Sequence, residues 1–486
     1  MDWRRNNENV NMAYTTDNRQ YAESVKKWEQ VRDCIEDMVE QKREKYIPKP
    51  DGIGEANYSV YCGRAIFANF TGQTAQVLKS SMFYRDYTLQ GVNGAELPES
   101  IEMMISNFSG KGTNFDDHLK KAGFNVCSVG RFGVLCDYPD TAGQALSQAD
   151  INQRGLSAYF PTYRAESIVD WDTQVIDGKE VLYYVKLCER VSSIVKQGNN
   201  FTRDDVDLER ELFIDDDGFY AQKVTVDGTT QEIKQPVKGN GERFDFIPFQ
   251  FINADDNTPD CGPIPLYKIS TLNIGHFRED ANRRQNSFYF SVPTATVDIG
   301  DMDAKEFSDA NGLGKGDDIT FGGTAYIVKN GKIELIQAKE GSVSQSIQQD
   351  DESAMVKLGA QIVMQGQNET AEAARIRKGT GMVTLGDMVG NIEEAYINLI
   401  NWGMMMNNPS GEPDEFEFNM SRQFFDDRLS PQMLQQLISM NLQGKYSDDD
   451  LYKQLKKDNL TTFDTMLEYK EALGTDTGDN PIEVDE

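Results

Sequence analysis

Residues 363–385 read VMQGQNETAEAARIRKGTGMVTL, and the two halves of this stretch disagree. TAEAARIRK is strongly helix-forming, and MVTLGDMV, which follows, carries a helical apolar spacing. Between them stand Gly379, Thr380 and Gly381, each of which weakens a helix interior. In front stands QGQNE, polar and flexible, with nothing to pack. The stretch therefore predicts a bare loop, then a helix with a weakened joint. Beyond the joint, Met382, Leu385, Val389, Ile392, Tyr396, Leu399 and Trp402 alternate spacings of three and four, the narrow stripe that helix-on-helix packing needs. A helix is expected to run on to about residue 406.

Upstream the chain reads as helix, insert, helix. Residues 263–289 are expected to be helical, with Pro263 and Pro265 in the first turn and Ile264, Tyr267, Ile274 and Phe277 on one stripe. Helix resumes at about 342–363. The 50 or so residues between hold short strands and glycines, and VKNGKIEL reads as an Asn-Gly hairpin. From 157 to 255 the pattern is of strands, with IDGK, DDDG and VDGT as turn signals. Helices are expected at 22–46, 57–82 and 114–122, the last opened by Asn114 as a cap. VGRFGVLCDYP reads as a buried strand. An antiparallel sheet with helices before and after is an α+β arrangement. Two or three short helices are expected at 430–473, and residues 471–486, with six acids and no base, predict a disordered tail.

Composition bounds the function. The 486 residues suffice for several structural regions, and 38% are hydrophobic, enough for a core. Lys and Arg number 49 against 79 Asp and Glu, a net charge of −30. Such a chain is poorly suited to gripping nucleic acid by its phosphates. No apolar run approaches the ~18 residues of a membrane helix, and the start, MDWRRNNENVN, lacks a secretory pattern. The six cysteines are scattered without a C-x-x-C pair, which predicts reduced thiols and synthesis in a cytoplasm.

Candidate chemistry is sparse. DDDG at 215–218 lacks the spacing and closing Glu of a calcium loop and reads as a hairpin turn. GLGKGDD at 312–318 has no strand-to-helix frame and no Lys-Ser/Thr pair, so it reads as a loop, not a phosphate cradle. His118 and His276 lack partner ligands at metal spacing, and a surface or packing role is the reading for both. No cysteine has an activating signature and no G-x-S-x-G elbow occurs. INWGMMMNN and NSFYF read as helix packing, since Met fills irregular gaps. No enzyme, metal site or cofactor is expected.

The order of these segments resembles that of the portal proteins of tailed bacteriophages. YCGRAIFANFTGQTAQVLKSSMFYR (61–85), VGRFGVLCDYP (129–139) and VMQGQNETAEAARIRKGTGMVTLGDMVGNIEEAYINLINW (363–402) look like one portal family of short-tailed and related phages. The resemblance covers about residues 55–405. It implies a ring of about twelve copies at one capsid vertex. Residues 1–262 would form most of the wing, 263–290 and 342–364 the two stem helices, and 291–341 the clip. The tunnel loop would be 365–370 (Gln365, Gly366, Gln367, Asn368, Glu369, Thr370), facing double-stranded DNA. Residues 371–429 would be a long helix kinked at Gly379 and Gly381 and a return to the wing, 430–473 the crown, and 474–486 a disordered acidic tail. Clip docking would fall to Tyr326, Val328, Lys329, Asn330, Lys332 and Glu334. The implied partners are the capsid protein, the terminase large subunit and head–tail adaptor or neck proteins, with the chain resident in the virion after synthesis in the bacterial host. Another neck or adaptor component, or an acidic cytosolic enzyme, are the alternatives.

Overall fold

The computed structural model describes residues 18–52, 54–139, 156–176, 178–197, 200–226, 228–230, 233–291, 294–298, 332–336, 343–364, 384–424 and 447–457, with single positions at 301–309 and 440. Helix α1, Arg19–Ile35, opens where Asn18 accepts a hydrogen bond from the Tyr21 amide. It does not run to residue 46. Asp37 takes a positive φ of 55°, and the chain restarts as α2, Arg43–Tyr46. The single helix expected at 57–82 is two, α3 Glu55–Arg64 and α4 Phe70–Met82. The link between them is held open by distant groups: Ile66 N–H donates to Asp280, Phe67 N–H to Glu40, and Ala68 C=O accepts from Asn273. Asn69 then caps α4 through the Gly72 amide.

Strand β1, Thr88–Gly91, and helix α5, Glu99–Ile105, lead to α6, Phe115–Val129. Asn114 caps α6 by accepting from Asp117 N–H, as its sequence position suggests, which is worth about 1 kcal/mol. The helix runs seven residues past its expected end at 122, through Gly123, because a side chain there would press on Met82 Sδ at 2.7 Å and Phe83 at 2.8 Å. It stops at Gly130, left-handed with φ 78°, whose N–H returns to Val126 C=O.

Gly130 delivers the chain into β2, Arg131–Leu135, every residue of which is buried. With β3, Thr162–Arg164, and β9, Phe249–Asn253, it makes a three-stranded antiparallel sheet in the order β3-β2-β9. The second sheet holds β4 Ile168–Ile176, β5 Lys179–Gln197, β6 Asn200–Ile214, β7 Tyr220–Val226 and β8 Thr229–Thr230, a meander in sequence order. Gly178, Gly218 and Gly228 adopt positive φ at its described turns, where the sequence signals stand. At DDDG, the Asp215 carboxylate accepts from Asp217 and Phe219 N–H, so the segment is a hairpin turn. Strands β5 and β6 continue past their neighbours. The pairs from Arg190↔Asp207 to Gln197↔Asn200 form a ribbon to which no described strand is paired on either edge. Val191, Ile194 and Phe201 are exposed on it.

The helices that follow complete the unit. Helix α7, Tyr267–Ser291, begins after Pro263 and Pro265, which therefore precede its first turn. Strands β10, Thr294–Asp298, and β11, Lys332–Ile336, pair antiparallel, and α8 covers Val343–Met364. Helix α9, Leu385–Asn407, buries Leu385, Val389, Ile392, Tyr396 and Leu399 against α6, α5 and β9. Met404 and Met406 are buried, and a Cβ added at Gly403 would press on Met104 and Phe160, so the Met-rich stretch is helix packing, as its sequence suggests. Strand β12, Phe416–Asn419, pairs with β1. The fold is α+β, helices with antiparallel sheets. Residues 423–486 form a separate compact unit, of which α10, Asp448–Lys457, is described, with Leu451 and Tyr452 buried.

A box of aromatic rings ties α9 to α6. Phe108 stacks on Phe160 at 4.0 Å and meets Phe115 edge-on at 5.0 Å, and Tyr396 packs edge-on against Phe115 at 5.5 Å. His118 lies inside it, bonded to Tyr396 Oη at 2.7 Å and to Phe160 C=O at 2.9 Å.

Candidate assembly and conduit surfaces

The run from α7 to α9 holds most of the site residues expected from the sequence, and α7 anchors it. This helix buries Ser270, Asn273, His276 and Asp280, an unusual polar face for a core position. Each finds a hydrogen-bond partner. Asn273 accepts from Thr71 N–H and Oγ1, both at 3.0 Å, and donates to Ala68 C=O at 2.7 Å. Asp280 accepts from Ile66 N–H at 2.9 Å, Arg283 at 2.9 Å and Arg284 at 2.5 Å. Burial opposes ionisation of Asp280, but these donors outweigh it and hold the carboxyl below its ordinary range. Tyr61 donates to Asn282, and Arg278 donates to Tyr46 C=O. Beneath lie Phe277, Ile274 and Ala281, packed with Cys34, Tyr46, Tyr58 and Phe67. Helix α7 is thus seated in one register on α1–α4.

Asp280 tests that seating. Its two arginines are partly exposed, and such ion pairs contribute little, so most of its contribution is the bond to Ile66 N–H. We expect Asp280→Leu to lower stability by about 2 kcal/mol in urea unfolding and Asp280→Asn, which keeps an acceptor, by about half as much. Equal losses would show that charge, not the backbone bond, is what matters.

Helix α8 lies along α7. His276 Nε2 is 3.1 Å from Glu352, and Gln348 donates to His276 C=O. The β10–β11 ladder sets Thr294 opposite Ile336, which brings the end of α7 and the start of α8 to one place. Two helices packed along their length from a shared end run antiparallel. The β10–β11 ladder therefore stands at one end of the pair. Met364 lies toward the other, where a Cβ added at Gly359 would come within 3.2 Å of Thr74 of α4. Val356, at 67% exposure, and Phe288, at 45%, stand out on the pair's surface, the latter beneath the Arg64 guanidinium.

The sequence-derived site residues divide accordingly. Lys332 and Glu334 lie on β11, paired with Asp298 and Thr296 of β10. Tyr326, Val328, Lys329 and Asn330, and with them the Asn-Gly turn, lie outside the described residues. So do Gln365, Gly366, Gln367, Asn368, Glu369, Thr370, Gly379 and Gly381, as do residues 371–383 as a whole. The structure does fix where the run re-enters the core. Thr384 has extended dihedrals and forms a capping box with Asp387, its Oγ1 accepting from Asp387 N–H and its own N–H donating to the Asp387 carboxylate. Helix α9 is therefore newly started at Leu385, and the expected joint at Gly379 and Gly381 lies outside the described residues. The signal T-x-x-D was present in the sequence.

Among the described residues no group of three or more His, Cys, Asp or Glu is placed to hold a metal ion. No described helix is long and apolar enough to cross a membrane. None of the six cysteines is in a disulfide, and five are buried. Burial pushes the Cys34 and Cys127 thiols up to about 12, which leaves them unreactive. The polar face of α7 was not legible as a docking face, because Gln30, Tyr46, Tyr61, Ile66, Ala68 and Thr71, which bond to α7, lie more than 200 residues away in the chain.

Comparison with curated proteins gives no match. Residues 265–406, the span from the start of α7 to the end of α9, match a family model described as a domain of unknown function, DUF4055.

Proposed function

We propose that the chain is a portal subunit, one of about twelve copies in a ring at a capsid vertex. The observation that carries this reading is the antiparallel pair α7 and α8, with α7 seated along its length on α1–α4 and the β10–β11 ladder at the far end of the pair. This arrangement supports a stem carrying a clip, on which terminase and neck or adaptor proteins would dock. The family match over 265–406 takes in the same segments. The loop 365–370 would leave the stem at its body end and face the DNA. Apolar side chains exposed on the stem, Val356 above all, suit burial between neighbours. The charge of −30 suits a conduit, since duplex DNA carries one negative charge per ~1.7 Å and a basic bore would hold it. Packaging energy would come from the terminase.

The test is native mass measurement with particle imaging. The purified chain is expected as a closed ring of about twelve subunits with a central hole. A monomer or dimer at micromolar concentration in several salts would overturn the reading.

A further inference from the structure

The outer half of the β5–β6 ribbon differs in charge from the chain as a whole. Residues 194–203, IVKQGNNFTR, hold two cations and no acid, in a chain whose net charge is −30. The acids of the ribbon, Asp204, Asp205 and Asp207, fall nearer its root. Register sets Ile194 opposite Arg203, and Phe201 stands two residues before Arg203, so the three share one face of the pleat. Ile194 is 64% exposed and Phe201 70%, and Arg203, also exposed, donates to Ser192 at 3.0 Å. Val191 and Thr202 are exposed on the opposite face. At these positions neither face is covered by the described residues. Single exposed apolar side chains are ordinary, but an isoleucine and a phenylalanine beside an arginine on a projecting ribbon make an anchor.

The root of the ribbon is braced. Arg210 donates to Glu189 and to Gln222, both at 2.9 Å, and Tyr163 of β3 donates to Glu189 at 2.8 Å. Gln222 donates to Asp137, just past β2, at 3.2 Å. These mostly buried groups tie the root to the three-stranded sheet, so the ribbon leaves the body in a set direction. An anchor held on such a support loses little freedom when it binds. Charge indicates what it binds. A surface complementary to Ile194, Phe201 and Arg203 is apolar with carboxylates at its rim, and a second copy, with 79 acids to 49 bases, supplies carboxylates in excess. Copies of so acidic a chain repel one another, and the outer ribbon is where that repulsion turns to attraction. We propose that the β5–β6 ribbon is an arm that docks on the neighbouring copy, where Ile194 and Phe201 are buried and Arg203 meets carboxylates. An arm-to-body contact is heterologous, the kind that closes a ring. The inference rests on the ring reading and adds the element that joins one copy to the next.

Native mass measurement on the full chain and on the double variant Ile194→Ser, Phe201→Ser tests it. Both residues are exposed, so the fold should be kept, which an unchanged circular dichroism spectrum verifies. The exchange also leaves the net charge as it was. The variant should need at least about tenfold more protein to assemble. Arg203→Glu should weaken assembly as well, more at low salt than at high. In a second measurement p-benzoylphenylalanine takes the place of Phe201 and is activated by light, and cross-links between chains are expected. Rings that form from the double variant at the native concentration would overturn the arm and leave the ring reading standing. Cross-links confined within one chain would do the same. A native chain that stays monomeric would overturn both.

Discussion

Gly130→Ala is expected to lower unfolding stability by about 4 kcal/mol, at the upper end of what a single substitution does. Two costs add. A left-handed φ of 78° strains any residue with a Cβ by about 1–2 kcal/mol. The new methyl would also lie 2.2 Å from Pro263 C=O and 3.0 Å from Pro265 Cδ, contacts that force the backbone entering α7 to move. Gly112 separates the two terms, since its φ is 87° but nothing lies within 4 Å of the added carbon. Gly112→Ala should therefore show the strain alone. If both variants lose the same amount in urea titrations, the 263–265 segment yields freely and α7 is less firmly seated than its contacts suggest.

Acidification should destabilise the protein through His118. Burial depresses its pKa from the ordinary 6.5 to about 4, the bond to Phe160 C=O opposing only in part. Between those values the unfolded chain binds a proton that the folded chain refuses. The sign follows: this contribution is complete above pH 6.5, falls as pH is lowered and is gone near pH 4. At about 1.4 kcal/mol per pKa unit the loss is roughly 3 kcal/mol. His118→Gln, which can still donate to Phe160 C=O, should flatten the stability profile over this window while costing some stability at pH 7. A variant with the same slope as the native chain would assign the acid sensitivity elsewhere.

The sequence disclosed what local chemistry governs. The turns of the meander were legible because glycine is needed where φ turns positive, and the Asn114 cap because a side chain satisfies amides three residues on. The buried strand showed as an unbroken apolar run. What stayed hidden was settled at a distance. Residues 65–69 contain no proline or glycine and look helical, yet Asp280, Glu40 and Asn273 hold them open. Gly123 looks like a stop, yet it is the close contact with Met82 that requires it. The surfaces bearing on function follow the same rule. The order of helix, insert and helix could be read from periodicity. The seating of α7 could not, since Tyr61, Ile66, Ala68 and Thr71 reach it from more than 200 residues away.

The ribbon beyond Glu189 and Leu208 works as a lever. It runs eight residue pairs from Arg190↔Asp207 to Gln197↔Asn200, and at about 3.4 Å per residue it reaches about 25 Å. Its only described strand pairing lies at its root, so a rotation there of about 5° carries the far end through about 2 Å. Small reorientations of the five-stranded sheet, too slight to disturb any core contact, are thereby magnified into a translation of Phe201 and Ile194 comparable to half a strand spacing.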